Sequence, residues 1–241
     1  MDKNKLKRVP GLVALVRLCR LLGNSGYRSV WRLKRNRPDN LFQPYPTTQH
    51  NRYPRIFAFV RERLSNVADL RLLSYGCSTG EEVFTLREYF PVAEIVGIDI
   101  NPHNIAVCRK RLGRRSGDNH IRFEQAGSPE AEQDSSYDAV FCMAVLRHGD
   151  LGVGNAEFCT HLIRFSDFER TVTDLCRCLK PGGYLVIRHS NFRFADIAVA
   201  SEFDNVLSFE AGTNGNTTPI YGSDNRLLAN YVYNDVVFRK R

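Results

Sequence analysis

The 241-residue sequence predicts an α/β protein with a doubly wound, mostly parallel sheet of seven strands, an antiparallel C-terminal strand and an N-terminal helical extension. Three observations predict it. Short apolar runs alternate with amphipathic segments from about Leu70 onward. The first run ends in a glycine-bounded loop, "GCSTG", from which a helical pattern starts at once. The second run ends in an acid, Asp99, 19 residues after Gly80. Repeated β-then-α units require parallel pairing with right-handed crossovers, which places a crevice at the C-terminal ends of the strands.

Residues 1–50 read as a basic helical extension and residues 51–241 as the domain. In the extension, "LVALVRLCRLL" and "YRSVWRLKR" are two short helices separated by a Gly-Asn-Ser-Gly break. The second sets Tyr27, Val30 and Trp31 on one face and Arg28, Arg32 and Arg35 on another. "RPDNLFQPYPTTQ" reads as a Pro-rich linker, and "RYPRIFAFVRERL" as a helix with Tyr53, Phe57, Val60 and Leu64 in one stripe. The domain then runs strand "LRLLSYG", helix "EEVFTLREYF", strand "EIVGIDI", helix "PHNIAVCRKRL", strands "IRFEQA" and "YDAVFCMAVL", and helix "DFERTVTDLCRCLK". Phe168, Val172, Leu175 and Leu179 line one side of that last helix. "PGG" stops it before strand "YLVIRHS". "NRLLANYVYNDVVFRKR" reads as β structure with a turn near Asn234-Asp235. The segment from Phe192 to Pro219 carries no pattern of its own and is expected to shape a substrate pocket.

Composition excludes some classes. No run of about 18 uncharged apolar residues is present, which argues against a membrane-spanning helix. Arg17 and Arg20 interrupt the apolar stretch near the front, which argues against a secretory signal. Seven scattered cysteines frame neither a zinc site nor a disulfide ladder, so no metal is expected and reduced thiols in a cytoplasm are the plain reading. Residues 1–71 hold 16 Lys/Arg against 4 Asp/Glu, while the remainder holds 18 against 22. The overall charge of +8 thus comes from the front of the chain. Three roles fit that front: a lid or domain-packing element, peripheral contact with an anionic membrane, or, less favoured, nucleic acid.

The loop after the first strand carries the functional signal. A dinucleotide fingerprint wants G-x-G-x-x-G, whereas this loop is G-x-x-x-G and its helix opens on Glu81 and Glu82. Two carboxylates would repel a pyrophosphate and tolerate a cationic ligand; acids in a first helical turn also suit the helix dipole. No lysine follows Gly80, so a phosphate loop is excluded. Asp99 stands where an acid accepts from both ribose hydroxyls. Its competing role is to cap the next helix, for which Asn101 is the better candidate.

Four stretches, "LLSYGCSTGEEVFTL", "VGIDINPHNIAVCRKRL", "YDAVFCMAVLRH" and "LKPGGYLVIRHS", resemble the ordered motifs of class I S-adenosylmethionine-dependent methyltransferases, which have Rossmann-like sheets. The hexapeptide Cys-Ser-Thr-Gly-Glu-Glu is similar to the chemotaxis-receptor methyltransferase branch. The resemblance implies S-adenosyl-L-methionine as cofactor, with Ser74, Gly76, Cys77, Ser78, Gly80, Glu82, Asp99, Ile100, Gln125, Ala126, Cys142 and Met143 around it. Ser74 departs from the family, many of whose members carry an acid there to hold the cofactor's amino-acid portion; Glu82 is a candidate to take that role.

Methyl transfer from a sulfonium asks chiefly for a positioned nucleophile, and for a base only where the nucleophile carries a proton. His148 and His189, at neighbouring strand ends, are the candidate bases. Asp150, Asn191 and Arg193 are candidate substrate contacts, and Arg188 or Arg193 suits an acidic acceptor. The favoured reading is transfer to an O, N or S nucleophile of a small or macromolecular acceptor. A non-catalytic protein of the same fold, binding membrane or nucleic acid through its front, and a nicotinamide-dependent oxidoreductase are the competitors. The loop spacing weighs against the last.

Overall fold

The computed structural model describes residues 10–115, 118–152, 156–210 and 218–241. The leading basic cluster (Lys3, Lys5, Lys7, Arg8) and part of the unpatterned segment lie outside the described residues. Seven strands form one sheet in the order β3-β2-β1-β4-β5-β7-β6. They are β1 (Arg71–Tyr75), β2 (Glu94–Asp99), β3 (Ile121–Gln125), β4 (Tyr137–Met143), β5 (Leu179–Arg188), β6 (Phe203–Ser208) and β7 (Asp235–Lys240). The first five are mutually parallel, and β7 runs antiparallel between β5 and β6.

Sequence explains the central strands. β4 is buried at every position, as a parallel strand covered on both faces must be. The edge strand β3 alternates buried and exposed side chains. Chain order reverses between β1 and β4, so the switch point lies at their C-terminal ends, where open α/β sheets bind ligands.

Six α-helices accompany the sheet among the described residues: α1 (Pro10–Gly23), α2 (Ser25–Asn36), α3 (Pro54–Arg63), α4 (Glu81–Tyr89), α5 (Pro102–Leu112) and α6 (Phe165–Cys178). One face of the sheet is covered by α6 through Phe168, Val172 and Leu175. The other is covered by α3, α4 and α5 through Phe57, Val60, Phe84, Leu86 and Ile105. All seven cysteines are free, and six are buried.

Three readings of the sequence change. "PGG" does not separate helix from strand. The chain is already extended at Leu179, and the register jumps from Tyr137–Leu179 to Ala139–Tyr184 around it. A Cβ on Gly183 would meet the Lys180 carbonyl at 2.9 Å, so the bulge needs glycine there. β6 lies in the segment that showed no pattern, because its outer face is solvated and only Phe203 is deeply buried. In α2 the inward residue is Ser29, which donates to Asn101; Trp31 faces outward with Arg35 stacked 5.3 Å from its ring centre.

Candidate functional site

A cleft opens at the C-terminal ends of β1, β2 and β4. Gly76 and Gly80 both have positive φ, at 74° and 90°, and carry the chain from β1 into α4. Of the residues expected around a cofactor, Gly76, Cys77, Ser78, Glu82, Asp99, Ile100, Ala126 and Met143 line this cleft. Ser74, Gly80, Gln125 and Cys142 do not. Ser74 lies beneath the floor and donates to Glu82 Oε1 at 2.7 Å. Gly80 turns the loop, and an added Cβ there would press on Phe84 and Cys108 rather than on the cleft. Gln125 is exposed at the sheet edge, and Cys142 points into the core on the opposite face.

The two key acids differ in environment. Asp99 Oδ2 accepts from the Ser78 amide at 2.8 Å; its Oδ1 accepts from the Asn101 amide at 2.8 Å and from Asn104 Nδ2 at 3.1 Å. Burial raises its pKa and these donors hold it back. Asn101 caps α5 by accepting from the His103 amide, so Asp99 is not the cap. Glu82 faces the cleft with one oxygen on Ser74. Burial pushes it up to about 7, against the pull of the Ser74 hydroxyl and the Arg52 charge. Glu81 is spent elsewhere, in an ion pair with Arg111 at 2.7 Å.

Three buried polar atoms of lining residues, Tyr53 OH, Ser78 Oγ and Asn104 Oδ1, have no hydrogen-bond partner among the described residues. An orphaned donor and acceptor beside Asp99 and Glu82 fit a polar ligand with hydroxyls at one end and a cationic group at the other. They would be costly in a cleft that stayed empty.

The roof came only partly from sequence. Residues 40–49, read above as a linker, lie across the cleft and line it with Phe42, Tyr45, Thr48 and Gln49. Phe42 is buried in the core, and Tyr45 OH donates to Asp150 at 2.9 Å. Lys34 lies 3.4 Å from the same carboxylate. No periodicity marks such a strap, because its contacts fall at irregular spacing; only its prolines and aromatics hinted at it. Tyr53, Arg52 and Asn104 were likewise missed as lining residues.

The candidate catalytic and substrate residues are dispersed. His148 is buried and faces a separate cavity behind the strap; burial lowers its pKa while Asp150, 3.9 Å away, opposes the shift. His189 has φ +55° and lies in a third cavity, with its ring 5.8 Å from Tyr53. Three substrate assignments give way to structural ones. Asp150 anchors the strap. Asn191 is fully buried, accepting from the His148 amide and donating to the Pro219 carbonyl, both at 2.7 Å. Arg193 forms a two-bond pair with Asp196. Among the described residues no group of three His, Cys, Asp or Glu could hold a metal.

A glycine loop, a strand-end acid and a roofed cleft meet at the switch point, the place where open α/β sheets bind ligands. The sequence model of the family described as "Methyltransferase domain" matches residues 66–222, more than half of the chain, and the chain belongs to that family. It is similar to the demethylmenaquinone methyltransferase of Thermus thermophilus, with 30% identity over 50% of this chain and 47% of that protein. It is also similar to the O-methyltransferase rstn1 of Aspergillus nomiae, with 26% identity over 53% of this chain and 50% of that protein. The chain thus spans about half the length of the curated relatives it matches. Among solved structures it is similar to the plantazolicin methyltransferase BpumL in complex with SAH, with 15% identity, TM-score 0.41, and coverage of 77% of this chain and 60% of that one.

Proposed function

We propose that the protein is an S-adenosylmethionine-dependent methyltransferase acting on an O, N or S nucleophile. One observation carries this reading: Asp99 and Glu82 face one roofed cleft in which Ser78 Oγ and Asn104 Oδ1 lack partners. Asp99 keeps lone pairs for the ribose hydroxyls, Ile100 and Ala126 flank the adenine, and Glu82, steadied by Ser74, takes the ammonium. The bound cofactor supplies an electrophilic methyl on a sulfonium, beside Met143. The likeness to the receptor branch stays with residues 77–82 alone and says nothing of the acceptor. His189, whose cavity shares the Arg52–Tyr53 wall with the cleft, is better placed than His148 to serve as a base.

Calorimetric titration with S-adenosylhomocysteine tests it. Binding should be micromolar, and Asp99→Ala should weaken it at least tenfold, since each lost charged hydrogen bond contributes about 1.5–3 kcal/mol. Preference for NADPH over S-adenosylhomocysteine would overturn the reading.

A second role is favoured by α1. Apart from the half-buried Leu21, its side chains from Val13 to Leu22 are exposed, including Leu15 (56%), Leu18 (52%) and Leu22 (73%). An apolar helix flanked by arginines and left in water suits the surface of an anionic membrane. Among the described residues no helix is long and apolar enough to cross one.

A further inference from the structure

About half of the arginines of the domain lie beside an acid. Arg71, Arg87, Arg109, Arg111, Arg122 and Arg193 each lie within 3.5 Å of a carboxylate oxygen. Arg188, at the end of β5, is only 4% exposed, yet it makes no ion pair among the described residues. Its one recorded neighbour of note is the Phe209 ring, 4.9 Å from the guanidinium; Arg55 stacks on the same ring at 5.2 Å. Arg147, in the loop after β4, is half-buried, and its Nε has no hydrogen-bond partner among the described residues. Arg52 is exposed and has no carboxylate oxygen within 4 Å among the described residues, although its charge acts on Glu82.

Arg188 and Arg52 wall one space with Tyr53, whose hydroxyl is buried without a hydrogen-bond partner among the described residues; the charges of Arg147 and of the Glu82 carboxylate also act on that hydroxyl. Burial lowers the pKa of both Arg188 and Arg147, the direction expected where a cation has lost water and gained no counter-charge. Arg188 lies on a cavity walled also by Arg52, Tyr53, His189 and Phe209 and by no acid among the described residues. Arg52 and Tyr53 also wall the cofactor cleft, so the two spaces adjoin. A buried, uncompensated guanidinium is costly, and a planar oxyanion offers it two parallel hydrogen bonds. A cation–π contact replaces only part of what the lost water supplied.

We propose that Arg188, with the Tyr53 hydroxyl, forms a subsite for an oxyanion carried by the methyl acceptor, a carboxylate or a phosphate. Arg52 stands at its border with the cleft. The assignment of this oxyanion to the acceptor rests on the methyltransferase reading; the anion site itself does not. It makes the substrate an acid whose charged end is held at the end of β5, leaving its nucleophile to reach toward the cleft.

The test uses full-length protein, alone and saturated with S-adenosylhomocysteine. Malonate, inorganic phosphate and neutral malonamide are titrated at constant ionic strength, by calorimetry and thermal shift. Malonate or phosphate should bind while malonamide does not, and the stronger of the two names the oxyanion. Arg188→Gln should weaken that binding at least tenfold and Arg188→Lys less, and both should leave affinity for S-adenosylhomocysteine within about twofold. Equal response to malonate and malonamide, or unchanged anion binding in Arg188→Gln, overturns the subsite. Loss of S-adenosylhomocysteine binding in step with anion binding overturns it too, by giving Arg188 to the cofactor. Failure of wild-type protein to bind S-adenosylhomocysteine, with anion binding intact, removes the methyltransferase reading and leaves the anion site standing.

Discussion

Glu82 shows how far one side chain is set by its neighbours. In sequence it is one of two acids opening a helix, and a favourable helix dipole explains both. In the fold Glu81 turns to Arg111, while Glu82 turns into the cleft and shares its proton-accepting edge with Ser74. Its folded pKa of about 7 stands above the ordinary 4.5, so the folded protein keeps a proton that the unfolded chain releases. That contribution to stability is full below about 4.5 and is lost as pH rises through about 7. A cationic ligand needs the ionised form. Affinity for S-adenosylhomocysteine should therefore rise about tenfold between pH 6 and pH 8, with proton release seen by calorimetry in buffers of different ionisation enthalpy. Glu82→Gln should bind weakly at both pH values and flatten the dependence. A steep dependence that survived in Glu82→Gln would assign it to another group. Asp99 was legible in the sequence because strand-end position alone defines it. Cys142 was not, since a one-residue step along β4 exchanges the two faces of the sheet and puts its neighbour Met143 at the cleft instead.

At the scale of elements, the strands and helices that repeat with a clean period were legible nearly to the residue. "PHNIAVCRKRL" is α5 from end to end. What sequence missed lacks a period: the bulge at Pro181–Gly183, the solvated strand β6 and the strap over the cleft. Both glycines of the loop have a local reason: an added Cβ on Gly76 would meet Val145 at 2.3 Å, and one on Gly80 would meet Phe84 at 3.0 Å. Gly80→Ala should cost about 1–2 kcal/mol in urea unfolding, from a left-handed φ of 90° and a Cβ 3.0 Å from Phe84. It should leave affinity for S-adenosylhomocysteine within about twofold, because Gly80 does not line the cleft. A large loss of affinity at unchanged stability would restore it to the site. The strap hangs on Tyr45, Lys34 and Asp150, all partly in water, so the latch is weak by construction. Tyr45→Phe should speed dissociation of S-adenosylhomocysteine about two- to fivefold in stopped flow, with little change in thermal stability. An unchanged dissociation rate would mean that the strap does not gate the cleft.

For the molecule as a whole, charge and apolar exposure are concentrated at one end of the chain. Residues 1–71 carry a net +12 and the rest a net −4. The front divides in structure as well: α2 and the strap pack on the domain and roof the cleft, whereas α1 touches little beyond α2. Lid and docking surface are therefore consecutive pieces of the same extension, and one does not exclude the other. Arg28 holds them together by donating to the Leu21 and Leu22 carbonyls at the end of α1, which keeps the apolar face of α1 turned outward. Beside it, α2 presents Trp31 among Arg28, Arg32 and Arg35, an arrangement that suits the headgroup layer. Each cation near an anionic surface contributes about 1 kcal/mol at modest salt, and that attraction is screened within about 10 Å at 0.1 M salt. Full-length protein should co-sediment with anionic vesicles at low salt, weakly with neutral ones, and release as salt rises. Protein beginning at Asp39 should stay in the supernatant throughout. Leu15→Asp with Leu18→Asp should reduce binding well over tenfold while leaving affinity for S-adenosylhomocysteine unchanged, since neither residue lines the cleft. Vesicle binding that persisted in the truncated protein would move the contact to the domain. No binding by the full-length protein, with cofactor affinity lost on truncation, would leave the front as a lid alone.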